Sequence, residues 1–147
     1  MTGIAEKLAI HEMIAQYAYT YDSSDADGFA RVFAEDGVLE IFIPGKTSPA
    51  VRLQSRKEIY EWAVQRLRAR RGRFTSRHYQ SGVRFEALTD QEARLRVMVL
   101  VTRQEATDSA PYVHMTGMYH DVWRNGSDGW RLAHRVAYAD RDPGLGT

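Results

Sequence analysis

The sequence contains no cysteine. That one absence excludes disulfide scaffolds, thiolate zinc sites, iron–sulfur ligation and cysteine nucleophiles. A charge excess is also missing: 20 Lys and Arg stand against 19 Asp and Glu, for a net charge of +1. Dedicated nucleic-acid and membrane-surface proteins carry a large basic excess, so neither partner is expected. Apolar runs extend only a few residues, and Glu6 and Lys7 interrupt the N-terminal segment. No membrane span or signal peptide is read, and a cytoplasmic location is the expectation. Metal-binding spacings are lacking too, with no His-x-His or His-x-x-x-His. His114 and His120 sit six residues apart on one strand, roughly 20 Å, too far to share an ion. Gly-x-Ser-x-Gly, a Walker loop and a dinucleotide fingerprint do not occur. No metal and no cofactor are expected.

What is present describes one globular domain. The 147 residues are 44% hydrophobic and 27% charged, enough to bury a real core, with order expected from about residue 3 to 140. Residues 4–22 read as an amphipathic helix through Ile4, Leu8, Ile10, Ile14, Tyr17, Ala18 and Tyr21. Asp25 can cap a second helix over 26–34, burying Phe29, Val32 and Phe33. Glu35-Asp36-Gly37 marks a turn before a short strand, Val38 to Ile43, and a polar loop follows to about Leu53. Ser55 and Glu58 form a capping box for a third helix over 56–70, which buries Ile59, Trp62, Ala63 and Leu67. The basic run Arg66, Arg68, Arg70, Arg71 and Arg73 reads as a solvated helix end that complements the dipole.

From Phe74 the period becomes alternating and predicts four long strands, at about 74–87, 91–104, 111–125 and 129–139. Pro143 to Gly146 reads as a loose tail. This order is α+β: three N-terminal helices packed on a strongly curved, mostly antiparallel sheet that forms a cone-shaped barrel. Both faces are apolar near Met98 to Val101. One would line the cone and the other would meet a second copy, in a homodimer or higher homo-oligomer.

Polar residues projected from apolar elements mark the candidate site. Tyr17 and Tyr21 share a helix face, and Asp22 lies beside it. Asp22 also has a local use near the turn Ser23 to Asp25, but Asp25 is the more obvious cap. Alternation places Ser76, His78, Gln80 and Gly82 on one strand face, with Arg77, Tyr79 and Ser81 on the other. On the third long strand, His114, Thr116, Met118 and His120 share a face. A single strand histidine is more often structural than catalytic. With the cofactor chemistries gone, acid–base catalysis by Asp, His and Tyr on a small molecule remains.

The stretch Tyr17 to Glu40, YAYTYDSSDADGFARVFAEDGVLE, resembles the N-terminal part of SnoaL-like proteins of the nuclear transport factor 2-like superfamily. Gly117 to Asp121 and Asp128 to Arg135 resemble the closing hairpin of that group. Within it, Tyr21-Asp22-Ser23-Ser24-Asp25 is similar to the Tyr-Asp-Ser-x-Asp of scytalone dehydratase. Tyr17 matches a tyrosine of the bile-acid dehydratases. The resemblance implies that Asp22 and His78 are catalytic, with His114 as a second histidine and Arg135 as a basic residue near the last strand's end. It also implies a lyase or isomerase acting on a cyclic hydroxy or keto substrate. Phe33, Phe42, Trp62, Met98, Met118 and Trp123 are the expected walls. Two other readings fit the fold. One is a non-catalytic binding or accessory subunit. The other is the small subunit of a ring-hydroxylating oxygenase, disfavoured because those chains typically run longer.

Overall fold

A computed structural model describes residues 3–145 of the chain. Helix α1 (Ile4–Asp22) buries Ile10, Ile14, Tyr17, Ala18 and Tyr21, one helical stripe. Ile4 and Leu8, expected on that stripe, are exposed; the first turns precede the stretch that packs on the sheet. The helix ends in a Schellman turn. Asp25 N–H donates to Thr20 C=O at 2.8 Å and Ser24 N–H to Tyr21 C=O at 3.1 Å, with Ser24 at φ 64°. The Asp25 side chain then accepts from Gly28 N–H at 2.9 Å and starts α2 (Ala26–Arg31).

Helix α2 stops short of its predicted end, and Phe33 opens strand β1 (Phe33–Phe42) instead. The expected turn at Glu35 to Gly37 is an irregularity inside that strand, whose register shifts between Phe33 and Val38. Strand β2 (Val51–Leu53) replaces part of the expected loop and pairs antiparallel with β1. Three residues are too few to show a period, so the sequence conceals it. Ser55 caps α3 (Arg56–Arg70) by accepting from Glu58 N–H at 3.1 Å, and the Glu58 carboxylate reaches back to Gln54 N–H at 2.7 Å. Strands β3 (Phe74–Leu88), β4 (Glu92–Glu105), β5 (Tyr112–Gly126) and β6 (Gly129–Ala139) follow, close to their predicted spans.

The sheet order is β2-β1-β6-β5-β4-β3, antiparallel except for the parallel β1–β6 pair. It is mixed and does not close: β2 and β3 are its edges. The helices cover one face, against Ala93, Leu95, Val97, Val99 and Val101 of β4. The outer face exposes Tyr79, Met98, Met118 and Tyr138. A bulge between Ser81 and Arg84 interrupts β3, with Gly82 at φ 60° and the Met98 methyl filling the space a side chain there would need. Beneath the helices, Tyr17, Tyr21, Phe29 and Phe33 form one cluster of tilted and edge-on rings. No helix among the described residues is long and apolar enough to cross a membrane.

The left-handed residue at the end of α1 is a serine where glycine carries no steric penalty. Ser24→Gly is expected to stabilise the fold by about 1 kcal/mol, read from urea midpoints. No gain, or a loss, would show that the Ser24 side chain has a native role that outweighs its backbone strain.

Candidate active site

Asp22, the last residue of α1, points at β3. Its Oδ1 lies 2.7 Å from His78 Nδ1 and accepts the Ser76 hydroxyl at 2.8 Å. Its Oδ2 accepts the His78 backbone N–H at 2.8 Å. The same residue therefore fixes the strand and the ring. Burial alone would raise the Asp22 carboxyl. The hydrogen bond and charge of the His78 ring, with the bonds from His78 N–H and Ser76, outweigh it and hold the carboxyl below the ordinary range. An ionised carboxylate can only accept, so Nδ1 carries a proton, and in the neutral form of the ring Nε2 holds the lone pair. Arg70 completes the frame from α3, donating to Ser76 Oγ at 2.9 Å and to Tyr21 C=O at 2.7 Å.

His78 opens on a cavity of about 800 Å³ between the helices and the inner sheet face. That is the size of a pocket for one drug-sized molecule. Tyr21 stands edge-on to His78, ring centroids 5.0 Å apart, and its hydroxyl accepts from Arg66 Nε at 3.2 Å. Its own proton is thus left to donate. Deeper, Arg135 is fully buried. It makes two bonds to Asp121, at 2.8 and 2.7 Å, and one to Gln80 Oε1 at 3.2 Å. The guanidinium lies 4.2 Å from the centroid of the Tyr17 ring and 4.0 Å from that of Tyr119. Burial raises both phenols, so each stays a hydrogen-bond donor.

The structure thus brings together Tyr17, Tyr21, His78 and His114 on the cavity wall, with Asp22 behind His78. His114 arrives through a bulge. Val101 pairs with Met115 but Thr102 pairs with Val113, so His114 is the extra residue and turns inward, away from the face of Met118 and His120. Burial, then the guanidinium of Arg103, lowers its basicity and favours the neutral ring.

Of the expected walls, Trp62 lines the cavity. Phe33 and Trp123 do not: both are fully buried in the closed core. Met98 and Met118 lie on the outer sheet face, because their positions on β4 and β5 alternate with the inward ones. Phe42 stacks on Tyr138, centroids 5.4 Å apart, and does not itself line the cavity. Arg135 lies beneath the wall and supports Tyr17 and Tyr119. Reasoning from the sequence missed Tyr119, Ser76, Arg70 and Arg103. Ser76 already shared a face with His78, and the spacing of Arg66 and Arg70 places them on one helix side. Tail residues Pro143 to Leu145 border the cavity, and Gly146 lies outside the described residues. No group of three His, Asp or Glu placed to hold a metal occurs among the described residues.

Three helices on one face of an open, curved sheet form a cone of the nuclear transport factor 2-like type. The chain belongs to the SnoaL-like domain family, whose profile matches residues 3–136. ActVI-ORFA from Streptomyces coelicolor is 20% identical, with a TM-score of 0.78, over 92% of this chain and 98% of that one. A candidate scytalone dehydratase from Novosphingobium aromaticivorans is 19% identical, TM-score 0.76, over 94% and 86%. The β subunit of a candidate aromatic-ring-hydroxylating dioxygenase from the same organism is 16% identical, TM-score 0.82, over 99% and 97%. That last pair matches in length, so the expected size difference does not separate this chain from such subunits. No curated protein matches the sequence.

A carboxyl held low in the folded chain stabilises it in the ionised form. The contribution is complete above the ordinary carboxylate value of about 4 and is lost as pH falls through the lowered one. Asp22→Asn should therefore cost most near pH 7 and progressively less below about pH 4. Urea midpoints of the two proteins from pH 7 to pH 3 measure this. A difference independent of pH would mean that Asp22 contributes by packing alone.

Proposed function

We propose that this chain is a cofactor-free lyase or isomerase acting on a small cyclic hydroxy or keto compound. The observation that carries the reading is the 2.7 Å contact of Asp22 with His78 Nδ1, which leaves Nε2 free at a cavity wall. Membership of the SnoaL-like family and likeness to one protein named as a candidate dehydratase support the reaction class.

His78 Nε2 takes a proton from the carbon beside a substrate carbonyl. Asp22 holds the ring in the tautomer that can accept it and balances the imidazolium that forms. The electron pair moves onto the carbonyl oxygen, where Tyr21, polarised by Arg66, donates a hydrogen bond; Tyr17 and Tyr119 are further phenols on the wall. The enolate then collapses. Either a β-hydroxyl leaves with the proton from His78 as water, or the proton returns to another carbon. The first is dehydration and the second isomerisation.

His78→Ala removes the proton carrier, and Asp22→Asn removes its counter-charge and one acceptor oxygen. Each is expected to lower kcat about 10²–10⁴-fold, the usual contribution of an acid–base group. The double variant should be little worse than His78→Ala, because the two act as a unit. His11, exposed on α1, is the control and should be replaceable at little cost. Folded variants that turn over at the wild-type rate would favour a non-catalytic binder.

The outer sheet face is proposed as the seat of a second copy, since Tyr79, Met98 and Tyr138 stand exposed there. Sedimentation at micromolar concentration should find a species of at least twice the 16.8 kDa chain. A monomer alone would overturn it.

A further inference from the structure

The cavity mouth is strongly basic in a chain whose total charge is near zero. Arg66 and Arg70 project from one side of α3 at a spacing of four, continuing the stripe of Trp62, Arg73 follows from the turn after the helix, and all three line the cavity. Arg103 joins them from β4. Most other cavity-distant arginines of the sheet and its flanks find carboxylates: Arg52 with Glu40, Arg94 with Glu92, Arg96 with Glu86, Arg124 with Asp36. Among the described residues, none of the four cavity arginines has a carboxylate within salt-bridge distance. Glu105 is the one acid on the wall, and it is exposed.

These arginines differ in what they already do. Arg70 is occupied with Ser76 and the end of α1. Arg66 spends Nε on the Tyr21 hydroxyl and keeps its terminal nitrogens. Arg103 lies flat on Phe74, 3.8 Å from the ring centroid, and its Nε is buried with no partner. Among the described residues it is the one buried side-chain nitrogen or oxygen in that condition. A buried donor left unpaired costs about 1–3 kcal/mol, so it marks a place where a bound acceptor gains most.

Position follows from register. Ser76 pairs with Arg103 and His78 with Val101, so Arg103 stands two residues along the sheet from His78. That is about 7 Å along the strand. A solvated helix end, the plain reading of the basic run, describes Arg68 and Arg71, which are exposed and do not line the cavity. It does not describe Arg66 or Arg70, which are partly buried and line the cavity.

We propose that Arg103 and Arg66 form a carboxylate subsite, so that the substrate of this cavity is a cyclic hydroxy or keto acid held by its acid group at the mouth. The planar guanidinium fork matches a planar carboxylate with two parallel N–H···O bonds. The acid group anchors one end of the ligand and places its ring against Trp62 and Tyr21, with the reacting carbon toward His78. This deepens the acid–base reading and rests on it for the reaction, but the subsite itself is a matter of binding.

Calorimetry with 2-naphthylacetate and its neutral amide, 2-naphthylacetamide, separates the two. Wild-type protein should bind the acid at least about tenfold tighter than the amide, the scale of one charge-assisted hydrogen bond. Added salt should weaken the acid more than the amide. Arg103→Gln and Arg66→Gln should each reduce the preference, and the pair should abolish it. Arg103→Lys, which keeps the charge, should retain part of it, and His78→Ala should retain all of it. Equal affinities, no binding of the acid at millimolar concentration, or a preference that survives in the double arginine variant would overturn the subsite. If His78→Ala loses turnover while no acid preference exists, the subsite falls and the acid–base reading stands. If the preference exists while His78→Ala turns over normally, the subsite stands and the catalytic reading falls.

Discussion

The interior is organised around one buried cation. Arg135 comes from the middle of β6 with no exposure to solvent, and its charge is matched by Asp121 on β5 through two bonds. A third bond reaches Gln80 on β3, which in turn donates to the Ile14 carbonyl of α1 at 2.8 Å. Three strands and a helix are thereby held in one arrangement. Against well-packed apolar residues such a pair gains little stability, but removing one partner leaves a buried charge and costs about 3–5 kcal/mol. Its effect on the site is indirect and strong. The two phenols at the cavity floor both pack against the guanidinium and edge-on to each other, so their placement depends on a charge that does not itself line the cavity.

The second constraint lies between α1 and β3. A single carboxylate accepts from a backbone N–H, a hydroxyl and an imidazole, and each bond limits a different freedom: strand position, helix end and ring rotation. The Schellman turn after Asp22 contributes by ending the helix where the side chain can face the strand. Fold and chemistry share these atoms. The residue that would set the tautomer is also one that docks the first helix.

Much of this was legible in the sequence because the signals were local. Capping residues placed the starts of α2 and α3 after Asp25 and Ser55, and the alternation after Phe74 placed four strands. The Asp22–His78 pair came from resemblance together with strand parity, which put Ser76, His78 and Gln80 on one side. What could not be read depended on long-range register. The bulge that turns His114 inward exists only against β4, and the parallel seating of β1 on β6 joins segments at opposite ends of the chain. The wall residues were misplaced for a related reason. Phe33 and Trp123 are as aromatic as Trp62, but composition cannot tell a sealed core from the lining of a void.

The parallel β1–β6 pair also bears on how the molecule assembles. Val38 meets His134 and Phe42 meets Tyr138, so β1 gains its main neighbour only after nearly all of the chain has been made. The antiparallel strands β3 to β6 connect neighbours and can zip in sequence. Strand β1, with the three-residue β2 as its other partner, must wait. Contacts of such long separation slow the search for the native state. During synthesis the early helices and β1 would carry unpaired backbone and an uncovered aromatic cluster until β6 emerges. Until β6 has been made, β1 therefore presents an open strand edge to other chains.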